Sequence, residues 1–209
     1  MEKVLVAVIT ALLFLIFPAK GQEAEVSWGI KGGANASTFR DRLEMDGRNS
    51  IDYNLKAGFF FGGLAEVRLS NKLNLQPEIL FSHRNTGIEI DGFNINDPNS
   101  ELDYQAVRTE SFLELPVVLR YDMFRIFYSE LGLQLGYLLR QKEEVKQSSF
   151  GPHSSTFEDY DRVDAGISAG LGFRLSPKFN LTGRYLFGIL KRDNSVSSSV
   201  IYGGLEYLF

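Results

Sequence analysis

The sequence predicts an all-β protein, an eight-stranded antiparallel up-and-down transmembrane β-barrel. Three observations lead to this fold class. Apolar and polar side chains alternate over eight separate segments, which is the period of a β-strand. Tight turns and long polar connections alternate between those segments. The last predicted strand also ends on an aromatic residue, Phe209.

The first 21 residues are expected to be a Sec signal peptide that is cleaved after Gly21, which makes residues 22–209 the mature barrel domain. The run Val4–Phe17 is apolar apart from Thr10, yet it is shorter than the roughly 20 residues of a spanning helix. The small residues Ala19 and Gly21 follow it, as they would at a cleavage site. An uncleaved N-terminal anchor is the alternative. A cleaved signal predicts export beyond the inner membrane.

Composition removes several classes of protein. The 209 residues include no cysteine, so a lipoprotein anchor, a disulfide-stapled domain and a thiolate metal site are excluded. The net charge is −4, which gives no polybasic surface for nucleic acid. No motif indicates a cofactor.

Eight segments carry the period-two pattern. They are Val26–Asn35, Lys56–Leu69, Leu73–Arg84, Phe112–Met123, Ile126–Arg140, Arg162–Ser176, Phe179–Leu190 and Val200–Phe209. The connections Ser70–Lys72, Asp122–Arg125 and Ser176–Lys178 are predicted tight turns, and Ala36–Tyr53, Asn85–Arg108, Gln141–Asp161 and a shorter stretch around Arg192–Ser197 are predicted loops. This asymmetry and the even strand count are typical of outer-membrane barrels. The long loops should therefore face outward, with both termini in the periplasm.

One row of each segment is apolar and the other is polar, so the question is which row faces inward. The polar row gathers Lys31, Glu66, Arg68, Glu78, Glu114, Arg120, Glu130, Asp164, Arg174, Arg184 and Glu206. An eight-stranded interior is narrow, and the large side chains Phe59, Phe61, Phe173, Tyr185 and Phe187 would crowd it. We therefore expect the charges to line the lumen and to pair there, since isolated buried charges are unfavourable. A soluble lipocalin-like barrel, with the apolar row inside, is the alternative.

Two further positions of the pattern carry specific expectations. Pro116 interrupts the fourth segment, where a proline removes a ladder donor, and it predicts a bulge or a broken hydrogen bond. Gly204, Tyr207 and the terminal Phe209 have the spacing of the C-terminal assembly signal of bacterial outer-membrane barrels.

Three segments resemble one known family. Phe112–Tyr121, "FLELPVVLRY", is similar to the Glu-(Ile/Leu)-Pro-x-x-(Leu/Ile)-(Lys/Arg)-Tyr segment of PorT-like outer-membrane β-barrel proteins, often labelled porin family proteins. "GIKGGANASTF" and "LQPEILFS" resemble the first and third strands of that family. The resemblance implies an outer-membrane barrel whose founding relatives are accessory proteins of type IX secretion and gliding. Its motifs are structural, so they imply no activity.

Catalytic and metal chemistry is weakly represented. His83 and His153 are the only histidines, and a lipid-modifying hydrolase would need a serine from another strand beside His83. Asp91–Asn99 gathers oxygen ligands suited to calcium, without the order of an EF-hand; a solvated loop is the simpler interpretation.

The resulting functional hypothesis is a non-enzymatic structural or interaction barrel. Its expected partners are outer-membrane lipid, the barrel assembly machinery during biogenesis, and envelope or secretion-complex proteins. A small diffusion porin and a lipid A-modifying enzyme are the alternatives.

Overall fold

The computed structural model describes residues 25–40, 43–45, 49–94, 97–147, 153–156, 161–192 and 196–209, which form ten β-strands. Successive side chains of a strand point to opposite faces, so the alternating pattern gives each strand one polar and one apolar side. The strands are β1 Val26–Phe39, β2 Leu43–Met45, β3 Asn49–Arg68, β4 Leu73–Asn94, β5 Asp97–Asp122, β6 Phe127–Gln147, β7 His153–Thr156, β8 Val163–Arg174, β9 Phe179–Arg192 and β10 Val196–Leu208. The expected signal peptide lies outside the described residues.

Eight of these strands close a ring of antiparallel neighbours. The order is β1-β3-β4-β5-β6-β8-β9-β10, and β1 pairs with β10 as well as with β3. The short strands β2 and β7 add to β3 and β6, outside the ring. This closed meander confirms the predicted eight-stranded up-and-down barrel. No helix in the described part of the chain is long and apolar enough to cross a membrane.

Three tight turns gather at one end of the barrel, which we call the turn end. They comprise residues 69–72, 123–126 and 175–178, close to the predicted positions. All three are closed in the same way, because the amides of Leu69, Met123 and Leu175 each donate to the carbonyl four residues later. The two ends of the ring also meet here, where the amide of Phe209 donates to the carbonyl of Trp28 at 2.9 Å.

At the opposite end, four adjacent strands run far beyond the others. Strands β3 to β6 have 20, 22, 26 and 21 residues, whereas β1, β8, β9 and β10 have 14, 12, 14 and 13. A tilted strand needs about 9–11 residues to cross the hydrocarbon of a bilayer. Half of the wall therefore continues past the ring as an open sheet, which we call the extended sheet, in the order β2-β3-β4-β5-β6-β7.

The extended sheet corrects three of the predicted loops. Much of 36–53, 85–108 and 141–161 is strand. The sequence pattern missed these strands because, beyond the ring, neither face has to be uniformly apolar, so the period-two signal fades. Pairing with neighbouring strands, which a single segment does not reveal, holds them in place.

Two prolines interrupt the backbone pairing of β4. Pro77 and Pro116 lack the amide hydrogen that a ladder uses. The β3–β4 ladder has no pairing at residues 76 and 77, and the β4–β5 ladder has none at residues 115 and 116. The predicted local break at Pro116 is confirmed, and the register is the same on both sides of each gap.

The outer face of the ring is apolar. Ile79, Leu131, Leu133 and Leu171 are 60–64% exposed, an arrangement that would be unfavourable over so large an area in water. Aromatic side chains surround the turn end, including the contacting pairs Phe127–Phe173 and Phe179–Tyr207, each with ring centroids 4.9 Å apart. An outward apolar band with an aromatic girdle is typical of a barrel in lipid, and it is the reverse of a soluble barrel.

We expect Leu133→Arg to destabilise the barrel, because Leu133 is exposed on the outer face six residues from Phe127 at the turn end, and arginine on the lipid face near the bilayer midplane costs about 2–4 kcal/mol. Leu175→Arg is the matched control. Leu175 is also an exposed leucine, but it lies in a turn at the end of the barrel, where the cost should be about 0–1 kcal/mol. Urea unfolding in lipid vesicles measures both, and equal effects of the two variants would contradict the assignment of the faces.

Candidate functional site

A closed ring of alternating charge crosses the interior of the barrel. We call it the charge ring, and its members in spatial order are Arg120, Glu130, Arg184, Glu78, Lys31 and Glu206. Each neighbouring pair is joined by a nitrogen–oxygen contact of 2.6–3.1 Å. No member side chain is more than 3% exposed. Three cations thus meet three carboxylates, and every member has a partner on both sides.

The register of the strands places two of these pairs directly. Lys31 on β1 lies opposite Glu206 on β10, and Arg120 on β5 lies opposite Glu130 on β6. Directly opposed residues of antiparallel strands share one face with their Cβ atoms about 4.5–5.5 Å apart. These two contacts therefore follow from backbone pairing, while the others must reach across a strand.

Glycines make room for two of the longer contacts. Gly170 on β8 lies in the row between Glu130 and Arg184, so no side chain separates the carboxylate from the guanidinium. Gly62 on β3 lies opposite Lys31, on the path from Lys31 to Glu78. All eight strands of the barrel therefore contribute to the charge ring. Strands β3 and β8 each contribute a glycine, and each of the other six contributes a charged residue.

The charge ring is supported on its turn-end side. The Arg120 guanidinium lies 4.1 Å from the centre of the Tyr128 ring, a cation–π arrangement. Gly172 provides the space, because a Cβ atom there would overlap the Tyr128 ring. The Gln76 amide donates to Glu78 at 2.7 Å and to Glu206 at 3.2 Å. The hydrogen-bond capacity of the buried carboxylates is thus used by neutral donors as well as by cations.

A second polar cluster lies nearer the extended sheet. Arg84 donates to Glu114 at 2.5 Å and 3.0 Å and to Asp164 at 3.0 Å. The Tyr202 hydroxyl and the Gln134 amide also donate to Glu114. Glu114 is wholly buried, so its charge is held by one cation and two neutral donors. Large apolar side chains pack against Tyr202 of this cluster, namely Phe60, Leu80, Leu186 and Val200. Side chains thus fill the interior at successive levels.

Some predicted lumen residues lie elsewhere. Arg68 is not in the lumen, because it is the last residue of β3 and its side chain is 59% exposed beside Glu25. Arg174, the last residue of β8, is 29% exposed and pairs with Asp122 at the turn end. Glu66 contacts Arg120 at 2.9 Å from the turn-end side, 17% exposed. Side chains at strand ends reach solvent beyond the packed interior. The structure buries the remaining residues of the predicted set: Lys31, Glu78, Glu114, Arg120, Glu130, Asp164, Arg184 and Glu206.

The sequence alone did not single out several interior residues. Arg84 stands on the inward row of β4, so the alternation could have identified it. Gln134 likewise stands on the polar row of its strand, whereas Tyr202 gave no such signal because a tyrosine fits either face of a strand. Near the extended sheet, Arg192 pairs with Glu110 at 2.8 Å inside the barrel.

The extended sheet carries its own polar contacts. Arg108 pairs with Glu143 at 3.2 Å, and the Tyr104 hydroxyl donates to Glu143 at 2.8 Å. Partial burial and this hydrogen bond raise the pKa of Tyr104 to about 12, so the phenol stays protonated and keeps donating at physiological pH. Ile88, Ala106 and Val145 pack beside these groups, with Ile51, Tyr53 and Tyr104 against them.

A histidine–serine contact lies on the outer face. His83 Nδ1 is 3.2 Å from the Ser111 hydroxyl on the neighbouring strand β5, and the His83 ring stacks on Phe59 at 5.1 Å. Sequence analysis did not identify this serine, because the pairing of β4 with β5 brings it there. Among the described residues no carboxylate hydrogen-bonds to the pair, so the third member of a triad has no counterpart here.

The C-terminal residues have distinct surroundings. Gly204 is buried, and a Cβ atom there would meet the Phe60 ring at 2.8 Å, which gives this glycine a packing role. Tyr207 and Phe209 contact each other on the outside, with ring centroids 5.7 Å apart. Their role as an assembly signal stays a prediction.

Among the residues that the structure describes, no group of three or more His, Asp and Glu side chains is arranged to hold a metal ion. The side chains of the calcium candidate Asp91–Asn99 lie outside the described set.

We expect Glu130→Gln to lower the free energy of unfolding by about 3–5 kcal/mol, because Arg120 and Arg184 would each lose a buried partner. The control Glu25→Gln removes an equally close but exposed contact, to Arg68, and should change stability by about 0–1 kcal/mol. Urea unfolding in vesicles would compare them. A loss no larger for Glu130→Gln than for Glu25→Gln would show that the charge ring does not stabilise the barrel.

Comparison with known structures finds barrels of the same type. Ail, the attachment invasion locus protein of Yersinia pestis, is 17% identical with a TM-score of 0.48, over 88% of this chain and 99% of Ail. Neisserial surface protein A is 16% identical with a TM-score of 0.47, over 88% and 99%. OprG of Pseudomonas aeruginosa is 13% identical with a TM-score of 0.40, over 89% and 97%. At these identities the similarity concerns the fold alone.

Comparison at the level of sequence identifies a family. No curated protein matches the chain. A family model described as an outer membrane protein beta-barrel domain matches residues 19–193, which is most of the chain and includes nearly all of the charge ring. The protein therefore belongs to the outer membrane protein beta-barrel domain family and lies in the bacterial outer membrane.

Proposed function

We propose that this protein is a non-enzymatic interaction barrel that engages a protein partner outside the cell through its extended sheet. The observation that carries the proposal is the length of β3 to β6, which have 20–26 residues against 12–14 in the other ring strands. In outer-membrane barrels the short turns face the periplasm and the longer connections face outward. The extended sheet then projects from the cell surface.

Internal packing supports a binding platform rather than a set of loose loops. Ile88, Ala106 and Val145 are 4–6% exposed and form a small apolar core within the extension. The contacts of Glu143 with Arg108 and Tyr104 tie β5 to β6 beside this core. A surface that is already ordered loses less conformational entropy when a partner binds.

The edges of the extended sheet supply a mode of recognition. Beyond the ring the sheet is open, with β2 along one side and β7 along the other. An edge strand carries unpaired backbone donors and acceptors, to which an extended segment of another protein can add. A partner that presents a strand is the class that this geometry favours.

The finer identity of the protein rests on its sequence. The segment Phe112–Tyr121 resembles PorT-like proteins, which favours a role as an accessory of a secretion or envelope complex. During biogenesis, the C-terminal residues Tyr207 and Phe209 would be recognised by the barrel assembly machinery.

A transport barrel is the second candidate, and the charge ring argues against it. Six buried charged side chains, each with partners on both sides, cross the interior. Open aqueous channels belong to barrels of about 16 strands. Planar-bilayer recording separates the two candidates, since steady conductance like that of a general porin would favour transport.

A lipid-modifying enzyme is the third candidate. It rests on the contact of His83 with Ser111. Overexpression that shifts the mass of lipid A, and loses this effect with Ser111→Ala, would favour this candidate over the interaction barrel.

The interaction proposal predicts site-specific crosslinking in living cells. A photo-crosslinking amino acid at Gln105, exposed on the extended part of β5, should give a discrete adduct with another protein. The same photo-crosslinking amino acid placed at Asn71, in a tight turn, should give different adducts or none. Identical adducts at both positions, or none at Gln105 in an abundant and folded protein, would contradict the proposal.

A further inference from the structure

Two exposed cations, Arg40 and Lys191, lie near each other on the outer face. They stand at the end of β1 and β9 that is opposite the turn end. The amide of Arg40 donates to the carbonyl of Ser197 at 3.0 Å, and Lys191 is the cross-strand partner of Ser197. Arg40 and Lys191 therefore flank Ser197 in one row across three strands. Because neighbouring strands are about 4.8 Å apart, the two backbones lie about 10 Å from each other, which long side chains can bridge to a shared anion.

The two cations stand at the same depth. Trp28 on β1 and Phe179 on β9 are exposed aromatic residues at the turn end. Arg40 lies twelve residues after Trp28, and Lys191 lies twelve residues after Phe179. A tilted strand crosses the hydrocarbon in about 9–11 residues, so both cations reach the opposite interface, at the headgroups of the outer leaflet.

Arg40 is held in position before any ligand binds. Its guanidinium lies 3.6 Å from the centre of the Phe187 ring and donates to the carbonyl of Gly188 at 3.3 Å. Among the described residues, these two contacts leave other N–H donors of the guanidinium without a hydrogen-bond acceptor. Phe187, Ile189 and Leu190 are 41–54% exposed just below, which provides an apolar surface for acyl chains beneath the two charges.

The charge at this row contrasts with that of the turn end. There, Arg68 pairs with Glu25 and Arg174 pairs with Asp122. Among the described residues, no carboxylate contacts Arg40 or Lys191. Within the described residues, the row thus carries two cations and no carboxylate at the depth where lipid phosphates lie.

We propose that Arg40 and Lys191 bind the phosphate of an outer-leaflet lipid, with its acyl chains against Phe187 and the neighbouring apolar side chains. Arginine suits this role because its planar fork donates two parallel hydrogen bonds to phosphate oxygens, while lysine supplies a compact point charge. The site faces the bilayer and does not depend on the extended sheet or on its partner.

Native mass spectrometry of the full mature protein, released from detergent micelles, would test the site. The probe is diphosphoryl lipid A, titrated against the wild-type protein and against Arg40→Gln, Lys191→Gln and the double variant. A basic residue at a lipid surface contributes roughly a fivefold change in affinity. Each single variant should therefore weaken binding about fivefold, and the double variant about 25-fold.

Three controls decide the interpretation. Lys178→Gln removes an exposed cation at the turn end, near the Tyr207 ring, and should leave affinity unchanged. Lipid A stripped of its phosphates should bind as weakly to the wild type as intact lipid A binds to the double variant. Heat-modifiable migration on gels should verify that every variant is folded. Undiminished binding by the folded double variant, equal loss with Lys178→Gln, or displacement of the lipid by millimolar inorganic phosphate would each overturn the proposal.

Discussion

The alternating contacts of the charge ring are the constraint on which the rest of the barrel depends. A buried charge is tolerated only when it is paired and hydrogen-bonded. Here each cation contacts two ring carboxylates and each carboxylate contacts two cations. The members come from six strands, and glycines on the other two leave space for the contacts. A shift of any one strand by a single residue would point its charge toward lipid. The ring therefore fixes the register of the whole barrel.

The filled interior leaves the outside of the protein to carry its interactions. The charge ring, the apolar layer around Phe60 and Leu80, and the cluster around Glu114 occupy successive levels of the lumen. We propose two different surfaces for recognition. The extended sheet would meet a protein partner through its open edges, and the row of Arg40 and Lys191 would meet the lipid headgroups. The closed barrel and its charge ring lie beneath both surfaces. Strands β3 to β6 can therefore extend beyond the other strands while the barrel stays closed.

The alternation along the chain was enough to predict the barrel, its three tight turns and every member of the charge ring. The alternation could not predict which charged residues form ion pairs. The contact of Arg184 with Glu130, for example, depends on Gly170 and on the register of two ladders. The extended strands were missed because their polar residues fall on both faces. Arg68 and Arg174 were wrongly assigned to the lumen because the alternation does not show where a strand ends, and both are last residues of their strands. The contact of His83 with Ser111 joins separate strands, so neither residue reveals it alone.

The most direct test of the central claim is an exchange of charge between two directly opposed members of the charge ring, Lys31→Glu combined with Glu206→Lys. This exchange keeps the pair and the net charge, yet it places the new carboxylate beside Glu78 and the new ammonium beside Arg120. If the six residues act as one ring, urea unfolding in vesicles should show a loss of more than about 3 kcal/mol. The same exchange in the exposed pair, Arg68→Glu with Glu25→Arg, should change stability by less than about 1 kcal/mol. Equal tolerance of the two exchanges would contradict the account, because it would reduce the charge ring to independent ion pairs.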